Sequence, residues 1–345
     1  MPILNPPPFP TGNLQSQDIY SISRYLNDPT MVLRALRTIA DQIFIGNKVL
    51  TGQFFTTDGS IIYEQIESIF ADGAPLSVAP GGEYPLSAVP TGPAQMANVI
   101  KWGLDTIIDD EAIARQNFDV VSRAFIKLVN SMVQQVDSVV MSAMVAAITQ
   151  TQAAGALTPG GLAAQTSYWD GSGANTAPNI LRDVQLAEQQ MRALKQGYRP
   201  NTVVCDLTTF AIVNSSPQLA PLLPRENFGA KGVTEMPVMA GLEGALMTTL
   251  NGKLWLGTPN LPSEPYCAVL DTTVFGAMVD ERLPAPGYAG SQSPDGTVDD
   301  DGRSMIQVKT MREDKQDRWR IRCRRTTTPI VIEPLAGVEI TGIAA

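Results

Sequence analysis

The sequence predicts a mixed α+β protein organised around one long helix and one long extended ribbon. No glycine or proline interrupts the chain between Gly103 and Gly155, which favours a single long helix there. Between residues 49 and 100, β-branched and aromatic segments alternate with turn formers, which indicates extended strands. Helical and strand patterns then alternate without a regular β-α-β repeat, and this predicts an α+β rather than an α/β fold.

The composition excludes several kinds of catalytic and binding protein. The 345 residues include no histidine, so Ser-His-Asp and Cys-His nucleophiles and histidine-ligated metals are excluded. Cys205, Cys267 and Cys323 are far apart and form no CxxC pair, so we expect buried free thiols in a reducing compartment. A net charge of −9 disfavours a dedicated nucleic-acid binder, because such proteins bind mainly by neutralising phosphates.

Two further observations bear on location. The opening residues, MPILNPPPFPTG, lack the basic start and the apolar run of a signal peptide. No window approaches the ~20 consecutive apolar residues that a membrane span needs. We therefore expect a protein that stays in the cytoplasm or leaves the cell by a route other than secretion.

Residues 1–48 are expected to form an arm rather than a domain. The prolines that crowd the first ten residues favour extended polyproline geometry and cannot pair in a sheet. A helix is predicted next, with Asp28 as its cap, Pro29 in its first turn and apolar residues from Val32 to Ile43 at helical spacing.

Residues 49–100 are predicted to form a ribbon. The segment SIIYEQIESIF favours a strand, and Gly81-Gly82 is the strongest of the turn signals that follow it. A two-stranded ribbon has no core of its own and is marginal in water. It must therefore lie on another surface, either in the same chain or in a neighbouring one.

The long helix is predicted within residues 101–154, starting between Thr106 and Asp110. Asp109, Asp110 and Glu111 would favour the positive end of its dipole. Apolar residues from Phe118 to Ala143 step by three or four and form one stripe. About 40 residues at ~1.5 Å each reach ~60 Å, which is more than one compact domain spans.

The second half is predicted to contain a linker, a second α+β unit and closing strands. Residues 155–178 are rich in glycine, alanine and serine and form the linker. Residues 179–275 begin with a helix and continue with a strand and a short helix in NTVVCDLTTFAIV. Residues 276–345 return to strands, and in RWRIRCRR the arginines alternate with apolar residues, which indicates a half-buried strand with one basic face.

No constellation of residues amounts to a catalytic, cofactor-binding or metal site, so we expect a protein that is not an enzyme. The acidic stretch from Asp295 to Ser304 could hold calcium, but it lacks the ligand spacing of a helix–loop–helix site, so a solvated loop is favoured. The arginine-rich strand could contact phosphate. Ion pairing with nearby acids, within or between subunits, is the simpler interpretation.

Three segments carry a resemblance to a known family: DDEAIARQNFDVVSRAFIKLVNSMVQQVDSVVMSAM, ILRDVQLAEQQMRALKQGYRPNTVVCDLTTFAIV and DRWRIRCRRTTTPIVIEP. They resemble the major capsid proteins of tailed bacteriophages, with the Hong Kong 97-like fold, and most closely those of actinobacteriophages. The resemblance covers nearly the whole chain. It implies an N-arm (1–48), an E-loop (49–100), the spine helix of a P domain (101–154), an A domain (179–275) and closing strands of the P domain (276–345).

The resemblance also implies a function and partners. The chain would self-assemble into hexamers and pentamers of an icosahedral head that encloses double-stranded DNA without sequence-specific binding. A separate scaffolding protein, a portal and a decoration protein are the expected partners, with assembly in the host cytoplasm and a final place in the virion. An encapsulin-type shell of a bacterial nanocompartment is the alternative.

Contacts between subunits are expected to be ionic. The ribbon contains no lysine or arginine, so the lysine–asparagine cross-link of some family members is not expected; Lys48 and Lys101 only flank it. Its acidic residues are expected to dock on a neighbour's basic residues. The acids are Asp58, Glu64, Glu67, Asp72 and Glu83, and the expected basic residues are Arg320, Arg322, Arg324 and Arg325.

Overall fold

The computed structural model describes residues 26, 32, 45–65, 70, 75–87, 92–115, 120–161, 168–171, 179–216, 246–281, 286–288 and 306–344. The helices within these residues are α1 (Gly46–Val49), α2 (Asp110–Arg115), α3 (Val120–Ala147), α4 (Ile180–Ala193) and α5 (Leu207–Ser215). The strands are β1 (Gly52–Thr56), β2 (Ser60–Glu64), β3 (Ala94–Asn98), β4 (Ile100–Asp109), β5 (Gln150–Ala153), β6 (Thr202–Cys205), β7 (Leu246–Leu250), β8 (Lys253–Gly257), β9 (Cys267–Leu270), β10 (Gly276–Glu281), β11 (Gln307–Glu313), β12 (Arg318–Val331) and β13 (Gly337–Thr341). The mixture confirms the predicted α+β class.

The first sheet is built around β12, the longest strand. β11 and β10 lie along one side of it, β4 along the other, and β1 pairs in parallel with the outer side of β10. The predicted alternation in β12 is confirmed, because Trp319, Ile321 and Cys323 are buried while the arginines between them point the other way. The buried face packs against α3.

Helix α3 carries the predicted apolar stripe, with Phe125, Leu128, Val136 and Val140 buried against the first sheet. Its 28 residues correspond to ~42 Å. The preceding helix α2 begins at Asp110, within the predicted range of starts, with Asp110 and Glu111 in its first turn, and residues 116–119 between the two helices lie outside the described residues. Residues Ile100–Asp109 form β4, because they pair with β12 along their whole length, and this places the helix start at the late end of the predicted range. Gln150–Ala153 likewise leave the helix to pair with β13.

The second sheet has the order β5-β13-β9-β6-β8-β7, and α4 packs on it. The predicted strand and short helix in NTVVCDLTTFAIV are confirmed as β6 and α5, with Asp206 capping α5 by accepting from the Thr208 and Thr209 amides. The structure places the closing strand β13 here rather than beside β12. Val338 and Ile340 bury their side chains in the core as β13 pairs with β9.

The start of the ribbon is attached to α3 by a buried carboxylate. Asp137 accepts hydrogen bonds from the amides of Ile45 (3.2 Å) and Gly46 (2.9 Å), at the first turn of α1. Burial raises the pKa of Asp137 to about 6, although the two amides oppose the shift. A side chain at position 46 would meet Asp137 and Val140 at 3.0 Å, so glycine permits this close approach.

Of the predicted N-arm, Leu26 and Val32 are helical and fully buried. The remaining residues before 45, including the predicted cap Asp28, lie outside the described residues. The acidic stretch at 295–304 also lies outside them. No described helix has the length and apolar character needed to cross a membrane.

Candidate assembly surface

The ribbon leaves the first sheet as the antiparallel pair β2 and β3, and only one of its faces is covered. Ile61 and Tyr63 on that face pack against Ala277, Val279 and Ile330 of β10 and β12. The opposite face presents Ile62 and Met96, which lie directly across from each other in the register. Their side chains are 71% and 66% exposed. The base of the ribbon is therefore anchored on its own chain, while its outer face has no cover from the described residues.

Exposed apolar residues are concentrated in and beside the ribbon. Of the fifteen large apolar residues exposed in the described part of the chain, eleven lie between positions 54 and 107. They are Phe54, Phe55, Ile62, Phe70, Leu76, Tyr84, Leu86, Met96, Ile100, Leu104 and Ile107. Isolated exposed apolar residues are normal on any surface, but a concentration of them indicates an interaction site.

The acidic residues predicted on the ribbon are accessible where they are described. Asp58, Glu64 and Glu83 are all exposed. Glu67 and Asp72 lie outside the described residues. The first-strand prediction is confirmed by β2, whereas residues 75–87 beyond it have no regular secondary structure.

The basic face of β12 forms what we call the arginine row: Arg318, Arg320, Arg322 and Arg324. Register places further charged residues of β4, β10 and β11 on the same face. The cations there are Lys101, Lys309 and the four arginines, and the carboxylates are Asp105, Asp109, Glu281 and Glu313. Six cations therefore share this face with four carboxylates, in a chain whose net charge is −9.

Asp105 of β4 is the central anion of this face. Arg322 lies directly opposite it and donates two hydrogen bonds of 2.8 Å, and Arg320 donates a third of 2.7 Å. These hydrogen bonds hold the pKa of Asp105 below its usual value, and those from Arg322 have the largest effect. Partial burial of Asp105 opposes the shift. Arg318 and Arg320 also pair with Glu313. The predicted ion pairing is thus present within one chain.

The predicted basic residues differ in accessibility. The side chains of Arg320 and Arg322 remain 36% and 38% exposed despite their partners. Arg324 is buried, donates to Gln307 at 2.7 Å, and stacks with its guanidinium carbon 3.8 Å from the centre of the Tyr288 ring.

Arg325 points to the opposite face of the sheet and is 1% exposed. It makes two hydrogen bonds with Asp280, of 2.9 and 3.1 Å, and a third with Asn47 at 3.3 Å. In this chain Arg325 therefore belongs to the core, beside the start of the ribbon, and a neighbour cannot reach it.

Glu313 is one of the nearby acids expected to pair with the arginines, but sequence reasoning missed Asp105. No strand was predicted at Asp105, just before the expected start of the long helix, so no cross-strand role was assigned to it. The β-branched run Thr106-Ile107-Ile108 is the signal that would have indicated a strand at this point. Tyr288 and Gln307 gave no sequence signal, because their contacts depend on how β11 and the segment after β10 lie against β12.

A cleft of about 390 Å³ lies between α3 and residues 259–262, and its lining residues, which include Ser131, Gln134 and Ser138, carry no ionisable side chain. Within the described residues, no cluster of three or more cysteine or acidic side chains is arranged to hold a metal ion.

A family model described as phage capsid protein matches residues 93–340, which is more than half of the chain. The chain belongs to the phage capsid protein family. The match begins at the second ribbon strand and extends through α3, the arginine row and most of both sheets. No protein in a search of curated sequences shows a significant match.

Several solved structures share the fold of this chain at low sequence identity. A phage-related protein from Bordetella bronchiseptica aligns with a TM-score of 0.51 and 12% identity, over 89% of this chain and 96% of the other. The virus-like particle from Pyrococcus furiosus aligns with a TM-score of 0.52 and 12% identity, over 90% of this chain and 98% of the other. A structure from Microbacterium phage Oxtober96 aligns with a TM-score of 0.51 and 11% identity, over 86% of this chain and 90% of the other. Together with the family match, they confirm the predicted Hong Kong 97-like capsid fold.

Proposed function

We propose that this protein is the coat subunit that self-assembles into hexamers and pentamers of an icosahedral phage head. One observation carries the proposal: a chain of the phage capsid family extends a ribbon whose outer apolar face finds no partner among its own described residues. Such a surface is buried when identical copies repeat around a closed shell. Residues 1–48, 49–100 and 101–154 would then act as N-arm, E-loop and spine. Residues 179–275 would form the A domain, and the strands from 276 onward would complete the P domain.

The arginine row supports a specific arrangement of neighbouring copies. Register places Ile330 and Ala277, on which the base of the ribbon rests, on the same sheet face as the arginine row. The chain's own ribbon thus covers one half of that face, and Arg320 and Arg322 remain partly accessible on the other half. We propose that a neighbour's ribbon occupies this second half.

Charge favours this docking arrangement. The ribbon sequence carries five carboxylates and no lysine or arginine, whereas cations are in excess on the arginine row. Opposite potentials steer two surfaces together and fix their register. We propose that Asp58, Glu64, Glu67, Asp72 and Glu83 supply the negative surface. Arg320 and Arg322 would supply the accessible positive surface. The buried Arg324, stacked on Tyr288, would lie beneath it.

Charge reversal tests the proposed docking. Glu64→Lys with Glu67→Lys should lower the yield of assembled particles and weaken its dependence on salt. Adding Arg320→Glu and Arg322→Glu to that variant reverses the charge of the arginine row as well, and this should restore assembly. Glu264→Lys is the matched control, since Glu264 is exposed on a loop far from the ribbon in sequence. Unchanged assembly and salt dependence in the ribbon variant would refute the docking.

We propose that the shell encloses double-stranded DNA and makes no sequence-specific contact with it. A scaffolding protein, a portal and a decoration protein are the expected partners, with assembly in the host cytoplasm and a final place in the virion. We infer a structural role without catalysis. Because the ribbon sequence lacks lysine, its contacts would be non-covalent, and denaturing electrophoresis of particles should give a single monomer band.

An encapsulin-type nanocompartment is the alternative, and the likeness to the Pyrococcus furiosus virus-like particle is the observation that favours it. The contents of purified particles separate the two functions. Nuclease-protected double-stranded DNA supports the phage head. A packaged enzyme in particles without DNA supports the compartment.

A further inference from the structure

Two of the three cysteines face each other inside the second sheet. Cys205 of β6 lies directly opposite Cys267 of the antiparallel strand β9. The carbonyl of Cys205 accepts from the amide of Thr258, beyond the neighbouring strand β8, at 3.0 Å. Because neighbouring residues of a strand direct their backbone groups to opposite sides, Cys205 turns its backbone towards β8 and away from β9. The two cysteines therefore form a non-hydrogen-bonded cross-strand pair, in which side chains approach most closely.

This register suits a disulfide. The α-carbons of a non-hydrogen-bonded antiparallel pair are ~4.5 Å apart, within the ~4.4–6.8 Å that disulfides span. Residues opposite each other place their side chains on the same face of the sheet. Both thiols are free and fully buried, and the Cys205 thiol donates to the carbonyl of Leu256 at 3.6 Å. Burial raises the pKa of both thiols, and in Cys267 the facing Cys205 adds to the shift.

Cys323 provides an internal comparison. It is equally buried, but register places Val308 and Leu104 on either side of it. Burial alone is therefore the same for all three thiols, and only Cys205 and Cys267 face another sulfur across a strand pair.

We propose that Cys205 and Cys267 close to a disulfide when the protein passes from a reducing to an oxidising medium. One thiolate attacks a small-molecule disulfide, such as oxidised glutathione, and releases one reduced thiol. The second cysteine then attacks the mixed disulfide and releases the other. The pair loses two protons and two electrons, one sulfur–sulfur bond forms, and the oxidant becomes two thiols. The biological setting, a particle released from its host, rests on the proposed function, whereas the chemistry depends only on the sheet.

The bond is expected to be reversible. Directly opposite residues keep their β-carbons ~4.5–5.5 Å apart, or somewhat less at such a site, against ~3.8 Å in an average disulfide. The sheet must therefore draw together locally, and a strained disulfide is reduced more easily than a relaxed one. Formation is also expected to be slow, because both thiols must first become accessible.

The test uses the full purified chain, prepared under anaerobic conditions and then incubated with excess oxidised glutathione. Peptide mapping without reduction should find the Cys205 and Cys267 peptides linked, with the mass of two hydrogens lost, while Cys323 remains a thiol. A series of low urea concentrations, below the unfolding midpoint, increases local opening so that burial alone cannot hide the pair. Mild dithiothreitol should reverse the link.

Variants identify the partners. Cys323→Ser should retain the link, and Cys205→Ser should abolish it and leave Cys267 either free or as a mixed disulfide with glutathione. The proposal is overturned if both thiols persist through the urea series, if both stop at mixed disulfides, or if Cys323 cross-links as readily as the pair. Each of these outcomes is independent of whether the chain forms shells.

Discussion

Strands β6 and β9 of the second sheet differ sharply in burial from strands β2 and β3 of the ribbon. Every residue of β6 and β9 is buried, whereas every residue of β2 and β3 retains at least partial exposure. Within one chain, neighbouring strands pair with both edges of β6 and β9, and helix α4 packs on the second sheet. The ribbon rests on its own chain by one face only. The comparison shows that the described residues of one chain bury β6 and β9 completely but leave one face of the ribbon exposed, which is the face that we propose another copy covers.

Removing the buried guanidinium of Arg325, beside the start of the ribbon, should have the largest effect on the free energy of unfolding. Arg325→Ala would leave Asp280 as an uncompensated charge in the core, and we expect a loss of about 3–5 kcal/mol in the free energy of unfolding. Urea denaturation of the purified chain measures it. The double variant Arg325→Met, Asp280→Leu should recover most of the loss. An effect no larger than that of Arg320→Ala would contradict the assignment of Arg325 to the core.

Removing apolar surface from the ribbon should affect assembly and leave the fold intact. Ile62→Ser with Met96→Ser should change the free energy of unfolding by less than ~1 kcal/mol, because both side chains are exposed in the single chain. Burial of such side chains is worth ~1.5–3 kcal/mol each, so we expect association to weaken at least about tenfold. Light scattering of assembly reactions measures it. Leu157→Ser, at another exposed apolar site, is the control, and an equal loss there would contradict the account.

The carboxylate that attaches the ribbon to α3 should make stability depend on pH. The pKa of Asp137 is raised in the folded chain, so folding favours its protonated form and stability falls as the pH rises from about 4 to about 6. The contribution is of the order of 2–3 kcal/mol. The difference in unfolding free energy between the wild type and Asp137→Asn measures it. That difference should decline over this range and stay constant above it; a pH-independent difference would argue against the assignment.

Breaking an ion pair of the arginine row should have the smallest effect on the single chain. Arg322→Ala removes two hydrogen bonds to Asp105, but both residues are partly exposed and Arg320 remains. We expect a change below ~1 kcal/mol in thermal or urea unfolding, similar to that of Arg192→Ala on α4, where Arg192 is exposed and its partner Glu188 keeps a second partner, Lys253. A large loss would mean that the row stabilises the chain itself. The proposed role in docking would then lose its support.

The elements of the fold that the sequence predicted correctly are those that a local pattern of apolar and polar residues determines. The period-two alternation at the start of β12 predicted that strand correctly, because Trp319, Ile321 and Cys323 are buried in the same core as the apolar stripe of α3. The absence of glycine and proline permits a helix without requiring one, so it left the start open between Thr106 and Asp110 and did not predict the end at Ala147. Thr106 and Ile108 form a strand because β12 offers ten residues of pairing, which is a long-range contact.

The sequence predicted which charged residues the proposed assembly surface contains, but not which of them are accessible. The lack of basic residues in the ribbon and the arginine alternation can be seen in the sequence. Which arginines a neighbour can reach depends on the sheet face on which each lies. Arg325 follows Arg324 by one position, and that single step turns it into the core, towards Asp280.

The most direct test of the account is electron cryomicroscopy of assembled particles, at a resolution that traces single subunits. We predict closed shells in which the ribbon of one copy lies across Arg320 and Arg322 of a neighbour, beside that neighbour's own ribbon. Shells in which each ribbon contacts only its own chain, or in which the arginine row faces solvent, would contradict the central claim.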